Sequence, residues 1–200
     1  MADQERWLET ARDWVHAVER AYVAAAFGPA AAAGAAGGAA AELAAVAAAA
    51  AGAVASRFLA VGTPRSIGLV GDPAACALSL AAHRVWFQPA DIRWAGDTDH
   101  AVSLGGRAVS QGEALAADIV CIHAPLSLEA AQLRRGTHVN ALATVSLDAE
   151  LQALAMIVDE PAGLPALAAG LRDGRQLDEL TVFVGGDLAI ARRALAAYAT

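Results

Sequence analysis

The chain has 200 residues, enough for one domain with a substantial core, and 57% of its residues are apolar. Its net charge is −7, all fourteen of its cationic residues are Arg, and it contains no Lys, which excludes a basic nucleic-acid surface and a lysine Schiff base. Two cysteines are too few for a disulfide framework and favour a reducing, cytoplasmic environment.

Residues 3–27 are predicted to form a helix that ends at Gly28-Pro29, because apolar residues recur there at spacings of three and four. This apolar stripe consists of Trp7, Ala11, Trp14, Val18 and Tyr22. Two interpretations of the stripe are open. The helix packs on its own neighbour, or Trp7, Trp14, Val18 and Tyr22 anchor an interface between subunits.

A second helix is predicted over about 39–60, after an Ala/Gly tract, because Ala has the highest helix propensity. Residues 21–56 contain one charge, Glu42, and are long enough to span a bilayer. Ala contributes little transfer free energy, however, and aromatic or Arg belts do not flank both ends, so we expect no membrane span. Asp3 and Glu5 lie where a secretory signal is basic, so we expect no signal peptide.

From residue 65 onward, apolar strands alternate with helices. The predicted strands are 66–70, 92–95, 119–123, 137–140 and 156–159. The predicted helices are 73–84, 111–117, 127–134, 148–154, 162–171 and 187–198. This alternation predicts the α/β class: a Rossmann-like, mostly parallel sheet with helices on both faces, preceded by N-terminal helices. We therefore divide the chain into an Ala-rich helical segment for oligomerisation, 1–60, and a Rossmann-like domain, 61–200.

Residues 101–110 interrupt this alternation, because two short strand-like runs flank Gly105-Gly106, a pattern typical of a hairpin. Only about ten residues separate Gly96 from Arg107, whereas a parallel crossover normally needs a dozen or more. We therefore predict that extended chain replaces the second crossover helix.

Four stretches together carry a family resemblance. They are AAAAAGAVASRFLAVGTPRSIGLVG (47–71), ADIVCIHAPLS (117–127), GTHVNALA (136–143) and GRQLDELTVFVGGDLAIARRALA (174–196). Over about 43–200 the chain resembles the ornithine cyclodeaminase/mu-crystallin family, and GTHVNALA is the most specific match. The resemblance implies a Rossmann fold and NAD(P)-dependent chemistry on amino acids, or small-hormone binding as in mu-crystallin. Full-length members have a separate N-terminal substrate and dimerisation domain, which this chain is expected to lack.

The chain departs from the family at the residues that carry its chemistry. After the first strand the family has Gly-x-Gly-x-x-Ala, whereas this chain has Gly71-Asp72-Pro73-Ala74-Ala75-Cys76. Pro73 removes an N–H donor, and Asp72 is a helix N-cap whose carboxylate replaces the phosphate. Ala47 and Ala48 match the family's Arg-Thr pair for the substrate carboxylate. Val145 matches the catalytic Asp of the cyclodeaminases, and the catalytic Lys has no counterpart.

The candidate cofactor residues, as vestiges of a dinucleotide site, are Gly71, Asp97, His123 and Asn140. Asp97 follows the second strand, where an acidic side chain binds a ribose hydroxyl; the alternative is a solvated loop Asp. We expect His123, Ser127, His138 and Asn140 at the carboxyl ends of strands, where ligands bind in such sheets. The alternative for His138 and Asn140 is that they stabilise a turn through hydrogen bonds to the backbone.

Cys121 and His123 alternate along one strand and share a face, which is compatible with a Cys–His nucleophile pair, although a buried strand Cys is more typical of a core. Cys76 is expected on a helix face. The sequence contains no CxxC or HExxH spacing, so no metal site is predicted. The remaining histidines, His16, His83 and His100, are expected on the surface.

Three functions are compatible with these residues. The first is a catalytically inactive relative without cofactor or catalytic residues, acting as an interaction or scaffold subunit with a second copy or a related full-length subunit. The second is a divergent NAD(P)-dependent cyclodeaminase, or imine or amino-acid dehydrogenase, that a partner subunit completes. The third is a mu-crystallin-like binder of a small ligand.

Overall fold

A computed structural model describes residues 2–27, 40–160, 163–175 and 178–198. The Ala/Gly tract between the first helices therefore lies outside the described residues. Three helices precede the sheet: α1 (Ala2–Glu9), α2 (Ala11–Ala26) and α3 (Ala40–Leu59). The single helix predicted over 3–27 is divided at Thr10, whose hydroxyl donates to the Arg6 carbonyl at 2.9 Å.

Seven parallel strands form the main sheet, in the order β3-β2-β1-β4-β6-β9-β8. They are β1 (Ser66–Gly71), β2 (Asp91–Ala95), β3 (Arg107–Ala108), β4 (Ile119–His123), β6 (His138–Ala141), β8 (Met156–Asp159) and β9 (Thr181–Val184). A separate parallel pair consists of β5 (Leu126–Leu128) and β7 (Val145–Leu147). The predicted Rossmann-like architecture is confirmed, because the strand order reverses between β1 and β4 as in a doubly wound sheet.

Helices cover both faces of the main sheet. They are α4 (Pro73–His83), α5 (Thr98–Ser103), α6 (Gln111–Leu115), α7 (Ala149–Leu154), α8 (Gly163–Ala168) and α9 (Ala189–Tyr198), with a 3-10 turn at Ala130–Gln132. One face packs against α3 and α4, with α2, α8 and α9 around them, and the other against α6 and α7. Residues from both predicted segments share the largest core cluster, in which Trp14 and Phe183 are completely buried.

The hairpin predicted at 101–110 is wrong. The chain forms α5 there, and β3 then pairs with β2 in parallel. The helix forms because the Asp97 side chain accepts the His100 backbone N–H at 2.9 Å and satisfies its first turn. The crossover is therefore short but helical.

The helix predicted at 127–134 is also wrong, because Leu126–Leu128 pairs with Val145–Leu147 and only a 3-10 turn follows. No strand is predicted at Thr181–Val184, although this segment forms β9 between β6 and β8, with Val182 and Phe183 completely buried.

The apolar stripe of α2 faces the interior of the chain, where α2 packs against α9, α8 and α3. Trp14, Val18 and Tyr22 have no exposed area, and Trp7 lies edge-on to Trp14 at 6.5 Å between ring centroids. The Trp14 indole N–H donates to the Trp7 carbonyl at 2.7 Å. These side chains stabilise their own subunit, so their predicted role as interface anchors does not fit this structure.

Helix α3 contains an 18-residue stretch, Glu42–Leu59, that is long and apolar enough to cross a membrane. Within the protein, 67% of this stretch is buried. It packs against α4, α2 and α9, as the core helix of an Ala-rich fold does.

Candidate functional site

The corner between β1 and β4 lies where the strand order reverses, which is where ligands bind in doubly wound sheets. Gly71 ends β1 opposite His123 at the end of β4. Gly71 has φ +118°, and a Cβ there would lie 2.5 Å from the His123 backbone carbon. Only glycine fits this close approach, as expected for the first glycine of a dinucleotide loop.

The N-terminus of α4 carries its own carboxylate. As predicted, Asp72 is the N-cap, its Oδ1 accepts the Ala75 backbone N–H at 2.9 Å, and Pro73 occupies the first turn. A phosphate placed here would repel Asp72 by about 1–4 kcal/mol at effective dielectric constants of 80 to 20. The helix end that binds the diphosphate in such folds is therefore already neutralised by a side chain.

His123 closes the same corner from β4. Its Nε2 lies 2.7 Å from the Ser79 hydroxyl on α4. Burial lowers the pKa of His123 to about 4, while the Asp72 charge opposes this shift. His123 is therefore neutral at pH 7 and offers no positive charge to an anion.

Asp97 follows β2, as expected, but its carboxylate is engaged within its own turn. It caps α5, and its oxygens lie 2.8 and 2.9 Å from Nδ1 of His100. The hydrogen bond from the His100 backbone lowers the pKa of Asp97 most strongly. A ribose hydroxyl would have to compete with His100 for this exposed side chain.

His138 and Asn140 do not lie at the carboxyl edge, which corrects the prediction. His138 begins β6, and both side chains are completely buried between the sheet and the helices that cover it. Their partners are side chains rather than turn backbone: His138 Nε2 lies 3.1 Å from Asn140 Oδ1, and His138 Nδ1 lies 2.7 Å from the Thr181 hydroxyl. In this structure Asn140 presents no atom to a cofactor.

The hydrogen bonds continue from Asn140 into α3 and α4. Asn140 Nδ2 donates to the Ser56 hydroxyl at 2.9 Å, which lies 2.8 Å from His83 Nε2. His83 Nδ1 lies 2.6 Å from the Ser79 carbonyl, which can only accept, so Nδ1 carries the proton. Ser56 then donates to Nε2, so the side chains of Ser56, His83, His138 and Asn140 all have hydrogen-bond partners while both histidines are neutral.

The surface location predicted for His83 is wrong, because His83 has no exposed area. The helical spacing of α4 could have indicated this burial. Cys76, Ser79 and His83 follow one another at intervals of three and four residues and share the buried face of the helix. Burial lowers the pKa of His83 to about 4 and that of His138 to about 3. Sequence reasoning missed Ser56 as well, and no local pattern marks it.

Cys121 does not form a nucleophile pair with His123. Its Sγ lies 3.9 Å from His83 Nε2 and 3.7 Å from Asn140 Nδ2. Burial raises the pKa of Cys121 to about 12, so the thiol is protonated at neutral pH and belongs to the core. Burial raises the pKa of Cys76 as well.

The other matched positions offer no catalytic group. Ala47 and Ala48 are buried, and Val145 begins β7. Ser127 lies in β5, with its hydroxyl 3.0 Å from that of Ser146. Among the described residues, no group of three or more His, Cys, Asp or Glu side chains lies close enough to hold a metal ion.

A depression of about 270 Å³ lies beside the N-terminus of α4, between α4 and α5. Its lining residues are Pro73, Ala74, Ala77, His100, Ser103 and Leu104. It is slightly smaller than the usual range for ligand pockets, about 300–1,000 Å³.

Comparisons with solved structures place this geometry among known folds. An archaeal alanine dehydrogenase dimer with bound NAD is 23% identical, with a TM-score of 0.66 over 78% of this chain and 62% of that one. The iminosuccinate reductase of Paracoccus denitrificans in complex with NAD+ is 25% identical, with a TM-score of 0.65 over 78% of this chain and 62% of that one. A probable ornithine cyclodeaminase from Bordetella pertussis is 22% identical, with a TM-score of 0.65 over 76% and 63%. The resemblance to the ornithine cyclodeaminase/mu-crystallin family is confirmed.

The similarity is one of fold, and this chain spans less than two thirds of the length of each of these three proteins. No protein-family model matches the chain, and no curated protein does.

Proposed function

We propose that this chain is a non-catalytic, cyclodeaminase-like Rossmann protein that acts as an interaction or scaffold subunit, with a second copy or a related full-length subunit as partner. One observation carries the proposal: the Asp72 carboxylate caps α4, with Oδ1 2.9 Å from the Ala75 nitrogen, at the helix end that would bind a diphosphate. A dinucleotide in the family's binding mode would have to displace this carboxylate.

The surroundings of Asp72 support the same conclusion. His123 is neutral and hydrogen-bonded to Ser79, so this side chain does not compensate the charge of a phosphate at this corner. The positions matched to the substrate-binding pair are buried alanines, Ala47 and Ala48. With no Lys in the chain, the family's catalytic Lys has no counterpart either.

Titration of the full chain with NADH and NADPH, followed by Trp fluorescence and calorimetry, tests the non-catalytic part. We expect no binding tighter than about 100 μM, a free energy of about −5.5 kcal/mol. The double variant Asp72→Thr/Pro73→Gly should gain affinity, because it removes the carboxylate and restores an N–H donor. Asp148→Thr is the matched control, since Asp148 caps α7 in the same way through the Leu151 N–H at 2.7 Å.

Tight NADH binding by the unmodified chain would overturn the proposal, and no gain in the double variant would show that the loop is not what blocks the site. Light scattering tests the interaction part, with the chain alone and mixed with a full-length cyclodeaminase-like homologue. A monomer under both conditions would contradict a scaffold role.

A second candidate is an NAD(P)-dependent oxidoreductase on an amino acid or imine that a partner subunit completes. It is favoured by the fold shared with the NAD-bound alanine dehydrogenase and iminosuccinate reductase. Cofactor turnover that appears only in the mixture of chain and homologue would support it over the scaffold role. Ligand-dependent stabilisation without turnover would instead support the mu-crystallin-like alternative.

A further inference from the structure

A cavity of about 310 Å³ lies at the amino edge of the main sheet, opposite the corner of Gly71 and His123. The loops that precede β1, β4, β6 and β9 meet there, and these strands are neighbours in the sheet. The charged and polar side chains around it are those of Thr63, Arg65, Asp118, Arg135, Arg175 and Asp178. Three arginines from three separate loops therefore line one concave site.

Arg175 is held in place by backbone carbonyls. Its Nη1 donates to the Leu59 carbonyl at 3.2 Å, and its Nη2 donates to the Gly136 carbonyl at 2.5 Å. Partial burial lowers the pKa of Arg175, while Glu179 and Asp178 act in the opposite direction. The side chain is thus a positioned, partly desolvated cation, and Glu179 and Asp178 are the acidic groups that face it.

Asp118 also lines the cavity, but among the described residues its carboxylate pairs with Arg134 rather than with Arg65 or Arg135. Its Oδ2 accepts the backbone N–H groups of Arg65 and Ser66 at 2.8 and 2.9 Å. Its Oδ1 accepts from Nη2 of Arg134 at 3.1 Å. In the part of the chain that the structure describes, the guanidinium groups of Arg65 and Arg135 form no ion pair within 4.0 Å.

We propose that this cavity binds a small oxyanion of the phosphate class between Arg65, Arg135 and Arg175. Guanidinium groups donate several hydrogen bonds in a fixed plane and bind phosphate oxygens strongly. Three Arg and two Asp line the cavity, a net charge of +1, and this local balance differs from the net charge of −7 of the whole chain. The site is separate from the Asp72 corner and does not depend on the proposed function.

The test is a titration of the full chain with inorganic phosphate, at an ionic strength held constant with chloride, followed by calorimetry and melting temperature. We expect saturable binding with a dissociation constant of about 1 mM or tighter. Arg65→Gln and Arg135→Gln should each weaken it about tenfold, equivalent to about 1.4 kcal/mol. Arg175 is left unchanged because it also holds two carbonyls.

Arg192→Gln is the control, because Arg192 is an exposed arginine on α9 that pairs with Asp187 at 3.7 Å. This control should bind phosphate like the unmodified chain, and circular dichroism should show that all three variants are folded. The proposal is overturned if phosphate has no effect beyond that of chloride. It is also overturned if both cavity variants bind phosphate as tightly as the control.

Discussion

Acidification from pH 7 to pH 4.5 is expected to destabilise the protein strongly, because His83, His123 and His138 are folded in their neutral forms. Burial lowers their pKa values from 6.5 to about 4, about 4 and about 3. Between pH 6.5 and about 4 the unfolded chain therefore binds protons that the folded chain does not. The stability is fully present above pH 6.5 and is lost as the pH falls through this range.

The size of the loss follows from the same values. One unit of pKa shift corresponds to about 1.36 kcal/mol, and pH 4.5 lies two units below the unfolded value, so each histidine costs about 2.5 kcal/mol. The sum over three is about 8 kcal/mol, an upper figure because His83 itself contributes to the shifts of His123 and His138. The total stability of a domain is about 5–15 kcal/mol, so unfolding near pH 4.5 is the expected outcome.

Urea unfolding followed by circular dichroism at half-unit steps from pH 8 to pH 4.5 measures this loss. The slope near pH 5 should approach three protons, about 4 kcal/mol per pH unit. His83→Gln should reduce the slope by about one proton. If the unfolding free energy stays constant between pH 7 and pH 5, the histidines are not buried as neutral groups and the reasoning fails.

Two further changes test packing. Gly68→Ala should destabilise the protein by about 3 kcal/mol or more in urea unfolding, because its Cβ would lie 2.0 Å from the Ala114 carbonyl oxygen. Gly112→Ala is the control and should not destabilise the protein, because no atom lies within 4 Å of the Cβ it would add. Tyr22→Phe should cost about 1–3 kcal/mol, because the Tyr22 hydroxyl donates to the buried Glu160 carboxylate at 2.5 Å; an unchanged urea midpoint would contradict this.

The elements that local sequence determines were predictable. Continuous apolar runs gave β1, β2 and β4, and Asp72-Pro73 gave the start of α4 together with its cap. The region of 101–110 failed because Gly105-Gly106 resembles a hairpin turn, while the helix there depends on the Asp97 cap and on packing of Ala101 against the sheet. Six residues of helix have too little intrinsic stability to leave a pattern of their own.

The buried hydrogen bonds that link His138, Asn140, Ser56 and His83 were not predictable, because they join distant parts of the sequence. Ser56 lies 27 residues from His83 and 84 from Asn140, and no spacing in a single sequence connects them. His138 and Asn140 lie in a predicted strand whose two faces are both buried, and the sequence of the strand does not show which face packs against α3. Only the burial of His83 was predictable, because the helical period of α4 places it on the same face as Cys76 and Ser79.

The carboxyl edge of the sheet carries its own caps on the helices that begin there. Asp72, Asp97 and Ser110 accept backbone N–H groups of α4, α5 and α6, and Glu160 accepts those of Ile190 and Ala191 in α9. Three of these four caps are carboxylates, so an anion arriving at this edge meets negative charge at donors that are already engaged. At the amino edge, three arginines and two aspartates line the cavity, so the charge there is of both signs. The proposed oxyanion site therefore lies on the opposite side of the sheet from the one that the fold alone suggests.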